Sequence, residues 1–286
     1  MKHASLLRSS TRTPVRLLAL AFALPLLAGC NKFQARNDFR KGNGYYRNQE
    51  YREALEQFQK GLELDPLATV AWRSVGLTAM ALYRPGVEGE DNERLADVAI
   101  DALEKYALAN PGDPKVEEHL ITMLINAGRY DQAIERLEQK ASTNGDPATA
   151  ETAIVAVMIK ANRLADAVRR VHRPGTTPDP QLLYSIGVAA WARSYGDPTL
   201  DLEERTAVVD LGLGALREAL DLKPDYFEAM AYYNLVCREK AKVAIDPLEG
   251  RHWQGQADEW MQRAIALRDK EEREENNRAA AERTGS

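Results

Sequence analysis

Two cysteines in 286 residues exclude a disulfide-stapled scaffold. Four histidines are too few and too scattered for a metal centre. His119, His172 and His252 lie more than fifty residues apart, and none sits in His-Glu-x-x-His or beside cysteine at ligand spacing. With 18 Gly and 13 Pro the chain is neither collagen-like nor low-complexity, and no glycine-rich loop has the form of a phosphate cradle. Gly212-Leu-Gly214 falls inside a helical stripe, where close helix packing explains it better. Neither Gly-x-Ser-x-Gly nor Ser-x-x-Lys is present. The acidic stretch Glu88 to Glu93 lacks the alternating Asp/Asn ligands and glycine of a calcium loop and reads as solvated. No convergent set of titratable groups nominates a catalyst, and no cofactor is expected. Lys+Arg 38 against Asp+Glu 43, net −5, argues against nucleic acid. What is present is 44% hydrophobic residues, enough for a substantial core.

The first long apolar run is Leu17 to Leu27, too short for a hydrocarbon core, which takes roughly 20 residues. Lys2, Arg8, Arg12 and Arg16 lie at or ahead of its start, with no acidic residue among the first 29, so the segment reads as a signal-peptide h-region. It ends in Leu27-Ala28-Gly29-Cys30, which resembles the lipobox of bacterial lipoproteins. That resemblance implies cleavage after residue 29 and acylation of Cys30. The body left behind is more acidic than the whole chain, so no polybasic patch is expected to hold it to anionic lipid. Acyl chains, at about 0.8 kcal/mol per buried methylene, would be the anchor. Asn31 in place of Asp implies the periplasmic face of the outer membrane. Cys237 then has no partner and reads as a small buried apolar residue.

Beyond residue 34 the chain repeats. Ala54, Ala99, Ala133, Ala167, Gly212 and Ala257 are spaced 45, 34, 34, 45 and 45 residues apart. Four positions after each stands Phe58, Leu103, Leu137, Val171, Leu216 or Met261, a helical face. Leu64-Asp65-Pro66, Asn110-Pro111 and Leu222-Lys223-Pro224 end helices, because proline cannot continue one. Gly42, Gly76 and Gly187 lie in helical surroundings, where glycine costs about 1 kcal/mol and so implies close helix contact.

The segment Gly42-Asn-Gly-Tyr45 to Asp65-Pro66, with Tyr51-Arg-Glu-Ala54 and Phe58 inside it, resembles a tetratricopeptide repeat, and Gly128-Arg-Tyr130-Asp-Gln-Ala133 matches the repeat's centre. The resemblance implies an all-α, right-handed superhelical solenoid of about six helical hairpins. Units three and four keep their second helices but lack the first-helix Trp and Gly. Three units carry about 11 extra residues, around 83–92, 195–204 and 246–250. Eleven residues are about three helical turns, so hairpins lengthened along one edge are expected. The expected organisation is a signal peptide over 1–29, a lipidated tether over 30–34, the repeat domain over 35–268, and a charged helical cap with a disordered tail over 269–286.

In such repeats the first helices line an inner groove. Carried over residue by residue, the resemblance nominates Arg36, Phe39, Asn43, Tyr46 and Arg47 in the first unit, and Val70, Arg73, Leu77 and Met80 in the second. The fifth unit contributes Gln181, Tyr184, Val188 and Trp191, and the sixth Glu228, Leu235, Arg238 and Glu239. Tyr184 and Trp191 are open between groove and core. Tyr45, Phe58 and Trp72 fall on the family's packing positions, and Trp253 with Trp260 should staple the last unit. Arginine with aromatics is hot-spot composition for a peptide. The expected function is a non-catalytic scaffold anchored in the bacterial envelope and binding an envelope protein or peptide. Lipoproteins of this build serve outer-membrane protein assembly, pilus-secretin assembly or cell-wall enzymes. The alternative is an enzyme or solute-binding protein using the groove for a small molecule.

Overall fold

The computed structural model describes the backbone of residues 15–144 and 146–284 and the side chains of 31–143 and 146–278. Residues 1–14 and the Cys30 side chain lie outside the described residues, so the expectations of cleavage and acylation rest on sequence. Among the described residues every regular element is a helix: α1 (Val15–Arg47), α2 (Tyr51–Leu64), α3 (Thr69–Leu82), α4 (Glu90–Ala109), α5 (Pro114–Asn126), α6 (Tyr130–Asn144), α7 (Pro147–Lys160), α8 (Leu164–Val171), α9 (Pro180–Gly196), α10 (Leu202–Leu222), α11 (Phe227–Val243) and α12 (Pro247–Thr284). None of those described is long and apolar enough to cross a membrane. Residues 30–34 continue α1, and α12 runs through most of the expected tail.

The chain forms two compact units, one ending at Arg129 and one starting at Tyr130. In the first, α1 pairs with α2 and α3 with α4, and α5 packs on α4. In the second, α6 packs on α7, and hairpins α7–α8, α9–α10 and α11–α12 follow. Local chemistry sets the starts. Asp113, Asp146 and Asp179 each precede a proline at the first helical position, and their side chains accept from the backbone N–H of Lys115, Thr149 and Gln181 at 3.1, 3.1 and 2.8 Å. Asp201 opens α10 with a capping box: its carboxylate accepts from Glu204 N–H, and Glu204 accepts from Asp201 N–H.

The small-residue stripe is the hairpin interface. Ala54, Ala99, Ala133, Ala167 and Ala257 are fully buried, and Phe58, Leu103, Leu137, Val171 and Leu216 are buried beside them. Gly42, Gly76 and Gly187 of the first helices each face one of these large residues. A Cβ at Gly42 would stand 2.8 Å from the Phe58 ring, at Gly76 2.6 Å from Leu103, and at Gly187 2.3 Å from Leu216. Real Cβ contacts are not that short, so only glycine lets the helices close.

Met261 departs from the expected stripe. It is exposed, and Trp260 takes the buried place beside Ala257 and Ala264. The eighth residue of α3 and of α9 is Gly76 and Gly187, but the eighth of α11 is Asn234. Asn234 is buried with its amide against the Met261 sulfur, so the notch that receives a large side chain elsewhere is filled. Tyr45 and Trp72 are half-buried rather than core residues. The Trp72 indole N–H donates to the Pro66 carbonyl at 3.0 Å, and the Lys105 ammonium covers its ring.

The inserted residues lengthen helices, as phase demands. α4 and α10 have 20 and 21 residues against 14 in α2. Their turns are hydrogen-bonded. Asn92 donates to the carbonyls of Arg84 and Val87 and accepts from Arg84 N–H. Arg205 donates to the carbonyls of Ser194 and Asp197, closing the C-terminus of α9.

Cys237 is fully buried in the core of the second unit, and burial pushes its thiol up to about 12. It is an inert packing residue, as read from sequence.

Candidate functional site

One face of α1 forms a shallow, open depression of about 530 Å3 lined by Arg36, Phe39, Arg40, Asn43, Tyr46 and Arg47. Five of the six are the residues nominated for the first unit, and the structure brings them together. Arg40 was not anticipated, though its i, i+4 spacing from Arg36 was readable. Arg36, Arg40, Asn43, Tyr46 and Arg47 are exposed. The arginines meet only neutral groups: Arg40 donates to the Asn37 side chain and Arg47 to the Asn43 carbonyl. Tyr46 stands edge-on to Tyr51 with centroids 5.3 Å apart. Phe39 has two roles, because one edge of its ring fills the notch at Gly61, where a Cβ would stand 2.3 Å away.

The other nominated residues divide. Arg73 and Leu77 on α3 are half-buried, and the Arg73 Nε is buried without a partner, so neither is a free wall residue. Tyr184 and Trp191 lie half-buried against the core of the second unit. Tyr232 joins them, its ring centroid 5.7 Å from Tyr184 and 5.4 Å from Trp191, both edge-on. Tyr226 closes the row 5.1 Å from Tyr184 and donates to the Gln181 side chain at 2.5 Å. Burial drives the Tyr226 hydroxyl up to about 12. This face is therefore a packed seam between α9 and α11, with Tyr195 stacked on Trp191 at its exposed end. Arg238 is committed within its own hairpin, donating to Asn234 at 3.0 Å and Asp258 at 2.8 Å. Glu239, nominated for the groove, is buried and paired with Lys242. Sequence periodicity could not show this, since groove and hairpin interface lie on adjacent faces of one helix.

A tetratricopeptide-repeat model matches residues 39–68, which span the end of α1, all of α2 and the turn into α3. The same hairpin, with glycine against a large residue, recurs in α3–α4 and α9–α10. Residues 39–68 match a tetratricopeptide repeat, and the hairpins that follow repeat its packing. No curated protein matches the chain. Similar solved structures include a TPR repeats protein from Bacteroides fragilis (16% identity, TM-score 0.42, 71% of this chain and 97% of that one). YrrB, described as a TPR protein with an unusual peptide-binding site, shares 19% identity at TM-score 0.37 over 68% of this chain and 88% of its own. MamA shares 14% at TM-score 0.32, over 84% and 94%. The tetratricopeptide fold is a protein–protein interaction scaffold, and its members are in general non-catalytic.

Among the described residues, no group of three or more His, Cys, Asp or Glu could hold a metal ion. The charged clusters that exist bind helices to each other. Arg170 lies between Glu138 and Glu151, and Glu151 also accepts from Arg173 at 2.6 Å, which ties α6, α7 and the end of α8 together. His172 is held by the Val168 carbonyl at 2.8 Å and the Glu218 carboxylate at 2.9 Å, linking α8 to α10. The backbone bond first, then Glu218, raises its pKa above the ordinary 6.5. A raised folded-state pKa stabilises fully below the unfolded value and is lost as pH climbs through the folded one. The stability difference between wild type and His172→Ala should therefore be larger at pH 5.5 than at pH 8.5. Urea midpoints of the two proteins at both pH values check this; a difference independent of pH would remove the His172–Glu218 link from the account.

Proposed function

We propose that the chain is a lipid-anchored, non-catalytic scaffold of the bacterial cell envelope that binds a protein or peptide partner on the α1 wall. The observation that carries the reading is the composition and shape of that wall: three arginines, a tyrosine and a phenylalanine lining one open depression on a repeat scaffold. Arginine and tyrosine are the residues that dominate binding energy in protein interfaces. The anchor rests on the lipobox resemblance at Leu27 to Cys30 behind its apolar run. Several acyl chains hold a protein at a membrane where one is marginal. Asn31 supports the periplasmic face of the outer membrane as the destination, and assembly of envelope machinery is the role such lipoproteins serve.

The double variant Tyr46→Ala, Arg47→Ala tests the wall. Both side chains are exposed, so stability should stay within about 0.5 kcal/mol of wild type. Capture of the native partner from detergent extracts should fall by tenfold or more, since losing such hot spots costs about 2 kcal/mol or more. Full capture with an unchanged melt would show that the wall is not the binding face.

A further inference from the structure

We infer that the α1 wall recognises an acidic segment of its partner, held in extended form with carboxylates on one side and apolar side chains on the other. The inference rests on the binding role proposed above and assigns the chemistry of the occupant. In the first unit, Lys41, Arg52, Lys60, Arg94, Lys105 and Arg129 each stand within ion-pair distance of a carboxylate. Arg36, Arg40 and Arg47 do not, and neither do Lys32, Arg73, Arg84 and Lys115; what sets the three apart is that they share one exposed face of α1, where the partners described for Arg40 and Arg47 are neutral and none is described for Arg36. Three guanidinium groups on one exposed helix face, in a chain of net charge −5, are a local reversal of sign. Each presents donors in a fork that fits a carboxylate.

Helix geometry adds a register. At about 100° per residue, Arg36, Arg40 and Arg47 fall within a sector about 40° wide, and Phe39 and Tyr46 fall within a second sector about 20° wide beside it. Asn43 lies between the two rows. A chain laid along α1 above Asn43 would send alternate side chains to the arginines and to the rings. Arg36 and Arg40 are about 6 Å apart along the helix, close to the roughly 6.6 Å between same-side residues of an extended strand. The pattern that fits is Glu-x-Glu with apolar residues between.

The probe is an N-terminally labelled, C-terminally amidated ten-residue peptide of alternating Glu and Leu, so that no terminal carboxylate contributes. Its affinity for the detergent-solubilised full chain is read by fluorescence anisotropy against a Lys-Leu peptide of equal length. The Glu-Leu peptide should bind at least tenfold more tightly, and raising salt from about 50 to 300 mM should weaken it. Arg36→Glu with Arg40→Glu should reverse the preference, and Arg36→Gln with Arg40→Gln should abolish it, both with wild-type circular dichroism. Equal binding of the two peptides, or a wild-type preference in either double variant, overturns the inference. So does flotation with phosphatidylglycerol vesicles that needs Arg36 and Arg40 when the peptide does not. Capture of the native partner is measured with the same proteins. Capture that both double variants retain overturns the acidic-segment assignment and leaves the scaffold standing. Peptide discrimination without any native capture overturns the scaffold and leaves the wall's chemistry intact.

Discussion

Phe58→Ala is expected to destabilise the α1–α2 hairpin by about 3–5 kcal/mol, the cost of deleting a large side chain from a closed interface. Phe58 is 2% exposed, and its ring fills the notch left by Gly42. In a repeat protein such a loss is local, because each hairpin is stabilised by itself and its neighbours. Amide exchange should therefore rise steeply in α1 and α2 and stay at wild-type levels in α9 to α12. Glycine substitutions supply the matched control. Gly187→Ala would press on buried Leu216 and should cost about 1–3 kcal/mol through overpacking. Gly214→Ala lies inside α10 with open space around it and should stabilise by about 0.5–1 kcal/mol. Equal and small effects at all three positions would mean that the hairpins do not close on these notches.

Cys30→Ser is expected to move the protein from the membrane to the soluble periplasmic fraction almost completely. In the proposed reading the acyl chains on Cys30 are the membrane anchor, and serine cannot carry them. The shift is read by fractionation after salt and carbonate washing, with wild type alongside. Continued sedimentation of the serine variant with membranes would sink the lipoprotein reading while leaving the repeat fold untouched.

Repetition made the fold legible. The small-residue stripe from Ala54 to Ala257 is buried throughout, because a hairpin interface imposes the same size limit at each recurrence. A second rhythm went unread. Asp-Pro at 113, 146 and 179 recurs every 33 residues and opens α5, α7 and α9, the first two of which are the first helices of the units that lack Trp and Gly. Repeat position nominates Arg36, Asn43, Tyr46 and Arg47, and all four are exposed on one face of α1. Position failed at Arg238 and Glu239, because α12 supplies Asp258 and α11 itself supplies Lys242, partners that no periodicity reveals. Tyr184 and Trp191, open between groove and core by sequence, lie half-buried because Tyr232 reaches both rings from the next hairpin. Burial of a long side chain depends on its neighbours' lengths as much as on its own register.

Site-specific photocrosslinking in intact cells reports directly which face of the chain a partner touches. A photoreactive phenylalanine at position 46 replaces Tyr46 on the α1 wall, and one at position 108 replaces Leu108, which is 83% exposed on the second helix of its hairpin. Irradiation should yield a discrete protein adduct from position 46 and none from position 108. An adduct from position 108 with none from position 46 would contradict a scaffold that binds its partner through the inner wall.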